Sequence, residues 1–270
     1  MKINRTAIKG NAKYAMNQAD PNVLLVTLAY LLVNFVLNLL YTEISWQGLL
    51  MDLVVSGQPD YVINRALMSI SPFAYPLGLA LSVMSQVISS GYALYMLNVS
   101  RELPASYGNL FDVFSMFFRI VALNILMMIF IFLWAMPFVI PGIVAAYRYR
   151  MATFLLLDNP DMSPLDCIRL SKQMMDGRKG ELFVLDFSFL GWAIAFSIPE
   201  MILQQFMTVG VFSEFANVPS IGGITPSFVV ISLVSTISSI WLIPYRNVTS
   251  ANFYNALLSL NDDFRPPFME

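Results

Sequence analysis

Long apolar runs alternate with short polar, charged segments along this chain, and the lengths of the runs set the first expectations. A helix needs about 20 mostly apolar residues to cross roughly 30 Å of hydrocarbon. Four stretches meet that length: 23–41, 73–97, 182–206 and 228–258. The last is over-long and predicts a kink or an exit near Pro244, which leaves a span over 228–250. Residues 120–157 are too many for one crossing and are interrupted by Pro137 and by Pro141-Gly142. They predict a hairpin, with one span over 120–138, a tight turn, and a second span over 143–157.

Between the runs, two segments carry the period of amphipathic helices. In 106–119, Leu110, Phe111, Phe114, Phe117 and Phe118 recur at helical spacing, with Asp112, Ser115 and Arg119 between them. In 163–176, Ser163-Pro164-Leu165-Asp166 supplies an N-cap, a first-turn proline and an acid three residues on. That helix places Leu165, Ile168, Ser171 and Met175 on one face and stops at Gly177. Both read as helices packed at the membrane surface. A third interfacial helix is expected after the first span, with Trp46, Leu49, Leu50 and Leu53 on one side.

Charge gives the pattern a direction. Lys2, Arg5, Lys9 and Lys13 precede the first span, and Arg101 and Arg119 flank the segment between the second and third. Arg169, Lys172, Arg178 and Lys179 lie between the fourth and fifth, while Arg246 and Arg265 belong to the C-terminal end. The two long loops on the other side hold Arg65 among Glu43, Asp52, Asp60 and Glu214. Basic residues accumulate on the cytoplasmic side of a bilayer. Six spans with both termini in the cytoplasm satisfy that rule, whereas five would strand a basic loop outside. The first run is followed by no small-residue cleavage site, so it reads as an uncleaved span.

Composition agrees. Of 270 residues, 57% are apolar and 12% charged, against about 45–50% and 25% in soluble domains. The expected fold class is all-α, a polytopic membrane helix bundle of six transmembrane helices with amphipathic interfacial helices, forming a single membrane domain over 1–270 in the cell membrane.

A charged side chain inside a span costs at least about 2.5–3.5 kcal/mol on the insertion scale, so it marks either a pairing or a site. Arg148 and Arg150 fall near the middle of the fourth span, Asp186 about a turn and a half into the fifth, and Glu200 near that span's outer end. Antiparallel spans bring Arg150 and Asp186 to similar depth, which predicts an intramembrane charged cluster of Arg148, Arg150 and Asp186. Its ordinary role is an ion pair between neighbouring helices; its functional role is recognition of an anionic headgroup, a substrate or a coupling proton. Polar stripes, Gly78, Ser82, Ser85, Gln86 and Ser89, then Ser232, Ser235 and Ser239, then Asn34 and Asn38, suit close helix packing or a polar cavity.

Enzyme chemistry finds little to work with. The chain has no histidine and one cysteine, Cys167, so neither a His/Cys metal cluster nor an internal disulfide can form. Nucleotide loops, nucleophile elbows and paired-carboxylate sites are absent from the sequence. Asp158-Asn159-Pro160-Asp161 departs from a calcium loop and reads as a turn. The sequons at Asn98 and Asn247 fall on the cytoplasmic side and are read as chance.

Several blocks resemble a bacterial membrane family known as domain-of-unknown-function family 975. They are Ile140-Pro141-Gly142-Ile143, Ala146-Tyr147, Tyr149, Met151 and Asp158-Asn159-Pro160, then Ser163, Leu170-Ser171, Met175-Asp176-Gly177 and 185–192. Pro244-Tyr245, Phe253-Tyr254, Ile8-Lys9 and Asn11-Ala12-Lys13 extend the likeness across nearly the whole chain. The family is found mostly in Gram-positive bacteria and is distantly similar to the membrane domain that accompanies some glycerophosphodiester phosphodiesterases. The resemblance implies six spans in a bacterial plasma membrane and no named activity. Serine is frequent in the family where this chain has Arg148 and Arg150, while Asp186 lies inside the matching block.

The function expected from these readings is a non-enzymatic membrane component that organises lipids or a protein partner at the cytoplasmic face. Arg169, Lys172, Arg178 and Lys179 are the candidate contacts to anionic lipid or partner, and neither a cofactor nor nucleic acid is expected. The alternative is a small-molecule transporter or exporter with a polar intramembrane cavity.

Overall fold

The computed structural model describes residues 4–45, 74–208 and 226–260, and all the regular structure among them is helical. In chain order the helices are α1 (Arg5–Gln18), α2 (Val23–Ser45), α3 (Ala74–Ser100) and α4 (Asn109–Asp112), the last followed by a 3-10 turn. Then come α5 (Phe117–Ala135), α6 (Val139–Tyr149), α7 (Ala152–Asp158), α8 (Pro164–Met174), α9 (Lys179–Thr208) and α10 (Pro226–Ser259). The helix expected around Trp46–Leu53, the loop charges Asp52, Asp60, Arg65 and Glu214, and the side chain of Glu200 lie outside the described residues.

Four stretches, Val23–Leu40, Pro76–Ser100, Asn109–Ala135 and Lys179–Leu203, are long and apolar enough to cross a membrane. Only 11–33% of each is buried inside the protein. Their remaining apolar side chains, such as Leu32, Met128, Phe132 and Ile198, are exposed. Lipid is the solvent that such surfaces require, which marks a membrane protein.

The chain forms two compact units. One comprises Met1–Thr27, Val87–Ala193 and Trp241–Glu270. It has a true protein core, in which Tyr95, Met96, Leu110, Ile120, Leu123, Met151, Leu155, Phe253 and Tyr254 are fully buried. The other comprises Leu28–Gln86 and Ile194–Ile240. Within it, Ser85 Oγ donates to Asn34 Oδ1 at 2.5 Å and Asn34 Nδ2 donates to the Tyr30 carbonyl at 2.9 Å. These two members of the polar stripes thus bond helix to helix, as small and amide side chains do in lipid.

α1 carries basic residues of the segment that precedes the first span, Arg5, Lys9 and Lys13. Asn4 caps it, its Oδ1 accepting from the N–H groups of Thr6 and Ala7 at 3.1 and 3.3 Å. Ile8, Ala12 and Ala15, at spacings of four and three, are its buried face. The Ile8 carbonyl accepts from Asn252 Nδ2 on α10 at 3.3 Å.

The hairpin over 120–157 needs two corrections. Its turn is at residues 136–138, and Pro141 and Gly142 lie inside α6. Pro141 occupies the third helical position, where no intrahelical donor is missed. Gly142 is there for contact: a Cβ on it would stand 2.6 Å from Ala135 Cβ and 2.9 Å from Ala135 Cα. The second arm, expected as one span over 143–157, is two helices broken at Arg150 and Met151. Buried Ser171 of α8 bridges the break, donating to the Arg148 carbonyl at 2.8 Å and accepting from the Met151 N–H at 3.2 Å. A side chain from another helix thus takes over ladder groups that an unbroken helix would satisfy internally.

The two amphipathic segments are helical; the first buries a different set of residues from the one expected, and the second buries Ile168, Ser171 and Met175 as expected but leaves Leu165 exposed. Around 106–119, Leu110 and Val113 are buried, whereas Phe111 and Phe118 are 53% and 84% exposed. Gly91 explains the docking: a Cβ there would collide with the Leu110 backbone, so only glycine lets α4 sit on α3. Phe111, Phe114 and Phe117 stack at centroid spacings of 6.3 and 6.2 Å, Phe111 exposed and the other two half-buried. In α8, Ser163 caps by accepting from the Asp166 N–H, Pro164 opens the helix, and Gly177 follows it at φ +71°. The buried face is Cys167, Ile168, Ser171 and Met174, with Met175 buried just past the helix end. Leu165 is exposed because it lies about 120° round the helix from Ser171.

α10 runs unbroken through Pro244 for 34 residues, about 50 Å at 1.5 Å per residue. The exit expected at Pro244 is therefore a continuation: Val248, Ala251, Phe253, Tyr254, Leu257 and Leu258 carry the helix into the core of the first unit.

Candidate functional site

A charged centre forms around Asp186 of α9, whose side chain is 10% exposed. Tyr147 Oη donates to its Oδ2 at 3.2 Å. Arg150 Nη1 lies 3.9 Å from Oδ2, and Arg246 Nε of α10 lies 3.5 Å from Oδ1. The structure thus brings Arg150 and Asp186 together, as the sequence predicted, and adds Tyr147 and Arg246. Tyr147 and Arg150 are three residues apart and share a face of the chain at the end of α6.

Arg148 does not join them. It points about 100° away from Tyr147 round the helix, and its guanidinium lies 6.0 Å from the Trp134 ring centre. Its Nε is buried with no hydrogen-bond partner. The predicted triad of Arg148, Arg150 and Asp186 is corrected to Tyr147, Arg150, Asp186 and Arg246.

Aromatic rings extend the centre. Phe189, one turn beyond Asp186, meets Tyr245 edge-on at 5.2 Å, and Tyr245 lies 5.0 Å from Trp241. Lys9 of α1 sits over the Phe189 ring at 4.4 Å, and Lys13 sits over the Tyr245 ring at 5.6 Å. Such contacts stabilise an ammonium by about 0.5–1 kcal/mol at partly exposed positions. Burial first, then the neighbouring charge of Lys13, pushes the Lys9 amine below the usual lysine range. Trp192 and Trp241 pair at 6.4 Å and are 55% and 38% exposed.

A second constellation is buried deeper in the first unit. Arg101 donates through Nη1 and Nη2 to the two carboxylate oxygens of Asp158, each at 2.7 Å, and through Nε to Asn255 Oδ1 at 2.9 Å. Tyr254 Oη donates to Asp158 Oδ2 at 2.8 Å, and Asn255 Nδ2 donates to Ser100 Oγ at 2.9 Å. Burial, followed by the charge and hydrogen bond of Asp158, raises the Tyr254 hydroxyl well above its ordinary range. The side chains of Arg101 and Asp158 are 10% and 4% exposed. Asp158, read as a turn former, is the ionic tie between α3, α7 and α10.

On α8 and its flanks the four candidate lipid or partner contacts are mostly matched locally. Arg169 pairs with Asp166 at 3.1 Å, Lys179 with Asp176 at 3.4 Å and Arg178 with Glu181 at 3.9 Å. Lys172 is exposed and has no ion pair among the described residues. Little surplus charge remains on this face.

A family model described as Protein of unknown function (DUF975) matches residues 138–261. This supports the resemblance read from the blocks within that segment. All of Tyr147, Arg150, Asp186 and Arg246 lie inside it, as do Asp158 and Tyr254. No curated protein and no solved structure matches the chain.

Proposed function

We propose that this protein is a non-enzymatic, multi-pass component of the cell membrane that gathers anionic lipid at its cytoplasmic face. The supporting observation is a charge asymmetry that coincides with structure: all but Arg65 of the 15 lysines and arginines fall within the first unit. The residues of the second unit include Glu43, Asp52, Asp60, Glu200 and Glu214. Under the positive-inside rule the basic segments before the first span, between the second and third, between the fourth and fifth, and at the C-terminal end face the cytoplasm, with six spans and both termini on that side. The exposed basic residues not already matched by an acid then meet the negatively charged leaflet, where each one near the surface contributes about 1 kcal/mol. A protein partner at the same face would use the same surface.

The residue chemistry favours a binding role. The chain lacks histidine, and its one thiol, on Cys167, is fully buried. Burial first pushes that thiol up to about 11, opposite to what a nucleophile needs.

The test is lipid retention. The purified chain, extracted from vesicles of mixed phosphatidylcholine and phosphatidylglycerol, should carry phosphatidylglycerol enriched over the input ratio. Retention at the input ratio contradicts the proposal.

A further inference from the structure

Two arginine–carboxylate contacts in this chain differ in kind. At Asp158, Arg101 spends both terminal nitrogens on one carboxylate at 2.7 Å, the short bidentate geometry of a closed ion pair. At Asp186, two arginines share one carboxylate at 3.5 and 3.9 Å, longer than the roughly 2.7–3.2 Å of an N–H to oxygen hydrogen bond. Arg150 and Arg246 are 37% and 48% exposed, so their planar donor forks are reachable and largely unused. Lys9 and Lys13 stand over Phe189 and Tyr245, a turn beyond Asp186 and next to Arg246 in sequence. Two arginines therefore share one carboxylate, and two lysines of α1 lie over rings that neighbour Asp186 and Arg246 in sequence. Like charges crowd here: Lys13 is among the causes that depress Lys9.

A set of cations that a single acid only loosely satisfies is arranged for a further anion. Guanidinium forks match the oxygens of a phosphate. The position of the cluster indicates where that phosphate is carried: Asp186 lies in the first third of the membrane-crossing stretch Lys179–Leu203, where a guanidinium beside it can snorkel to the headgroup level of a bilayer.

We infer that Arg150 and Arg246, backed by Lys9 and Lys13 of α1, form a site for the phosphate of an anionic phospholipid headgroup. Asp186 acts as the internal counter-ion that offsets the repulsion between the two arginines. This inference rests on the anionic-lipid reading above and gives it a location, in place of the locally neutralised surface of α8.

The experiment uses the full chain in phosphatidylcholine nanodiscs, with phosphatidylglycerol titrated in and binding read by native mass spectrometry. Arg150→Gln with Arg246→Gln should weaken binding about tenfold or more, and Lys9→Gln with Lys13→Gln should weaken it severalfold. Asp186→Asn should tighten it, because the competing carboxylate charge is gone. This variant carries the test if the double arginine variant fails to fold. Neutralising Arg169, Lys172, Arg178 and Lys179 together should change little. Excess inorganic phosphate should not displace the lipid; displacement would overturn the assignment to a lipid-borne phosphate. Unchanged phosphatidylglycerol binding in the double arginine variant, or no tightening in Asp186→Asn, overturns the site. If only the α8 variant loses binding, the site is overturned while the anionic-lipid reading stands. If phosphatidylglycerol binds no better than phosphatidylcholine, both fall.

Discussion

Arg101 and Asp158 form the shortest ion pair among the described residues, a two-pronged contact with both distances at 2.7 Å. Its partners stand at the end of α3 and the end of α7, and Tyr254 and Asn255 of α10 complete its hydrogen bonding. A buried ion pair adds little to stability relative to a well-packed apolar substitute. Removing one partner is a different matter, because the other is left charged and unpaired.

Asp158→Asn should therefore destabilise the folded chain by about 3–5 kcal/mol. Tyr254→Phe, which removes one hydrogen bond to a charged group, should cost about 1.5–3 kcal/mol. Thermal unfolding in detergent, followed by intrinsic fluorescence, ranks the two. Equal effects would mean that the tyrosine, rather than the ion pair, ties the helices together.

Gly91→Ala and Gly142→Ala should each destabilise by about 1–3 kcal/mol, because the added Cβ meets the Leu110 backbone in one case and Ala135 in the other. Gly191→Ala is the control: nothing lies within 4 Å of its Cβ position. As a mid-helix substitution it should be neutral or stabilise by up to about 1 kcal/mol. The same unfolding assay reads all three.

Ser171→Ala removes the hydroxyl that serves both the Arg148 carbonyl and the Met151 N–H at the break between α6 and α7. The expected cost is about 1–3 kcal/mol. Faster hydrogen exchange should appear at the Met151 amide. Unchanged exchange there would show that the break holds without α8.

Cys167 should resist alkylation. Its thiol is pushed up to about 11, against 9.0 for an ordinary thiol, so at about pH 8 it presents about a hundredfold less thiolate than a free one. The sign for stability follows from linkage. The folded chain holds the proton that an unfolded thiol has already released, so this contribution is whole below pH 9 and is lost as pH rises to about 11. Maleimide labelling in native buffer and in denaturant, and alkaline unfolding of wild type beside Cys167→Ala, check the two statements.

Hydrophobic run length placed α2, α3, α9 and α10 within a few residues of where they lie, because lipid rewards long apolar helices regardless of what they pack against. Less visible were features made by contacts between distant segments. In sequence Arg246 belongs to the C-terminal end, yet it meets Asp186 sixty residues away because α10 continues through Pro244. Asp158 looked like a turn residue because Asn159-Pro160 follows it, and nothing local announces Arg101. The α1 helix did leave a signal: Asn4 as cap, with Ile8, Ala12 and Ala15 in register. Two of those three are alanine, so the apolar stripe is faint beside the lysines.

The basic segments at α1, at α8 and at the end of α10 share one side of a bilayer, and the rest depends on that. Single cysteines at the exposed positions Asn17 of α1, Lys172 of α8 and Ser259 of α10, in a Cys167→Ala background, test it with a membrane-impermeant maleimide. All three should label in inside-out vesicles and stay protected in sealed, right-side-out ones. Labelling of any one of them from the outside would contradict the account.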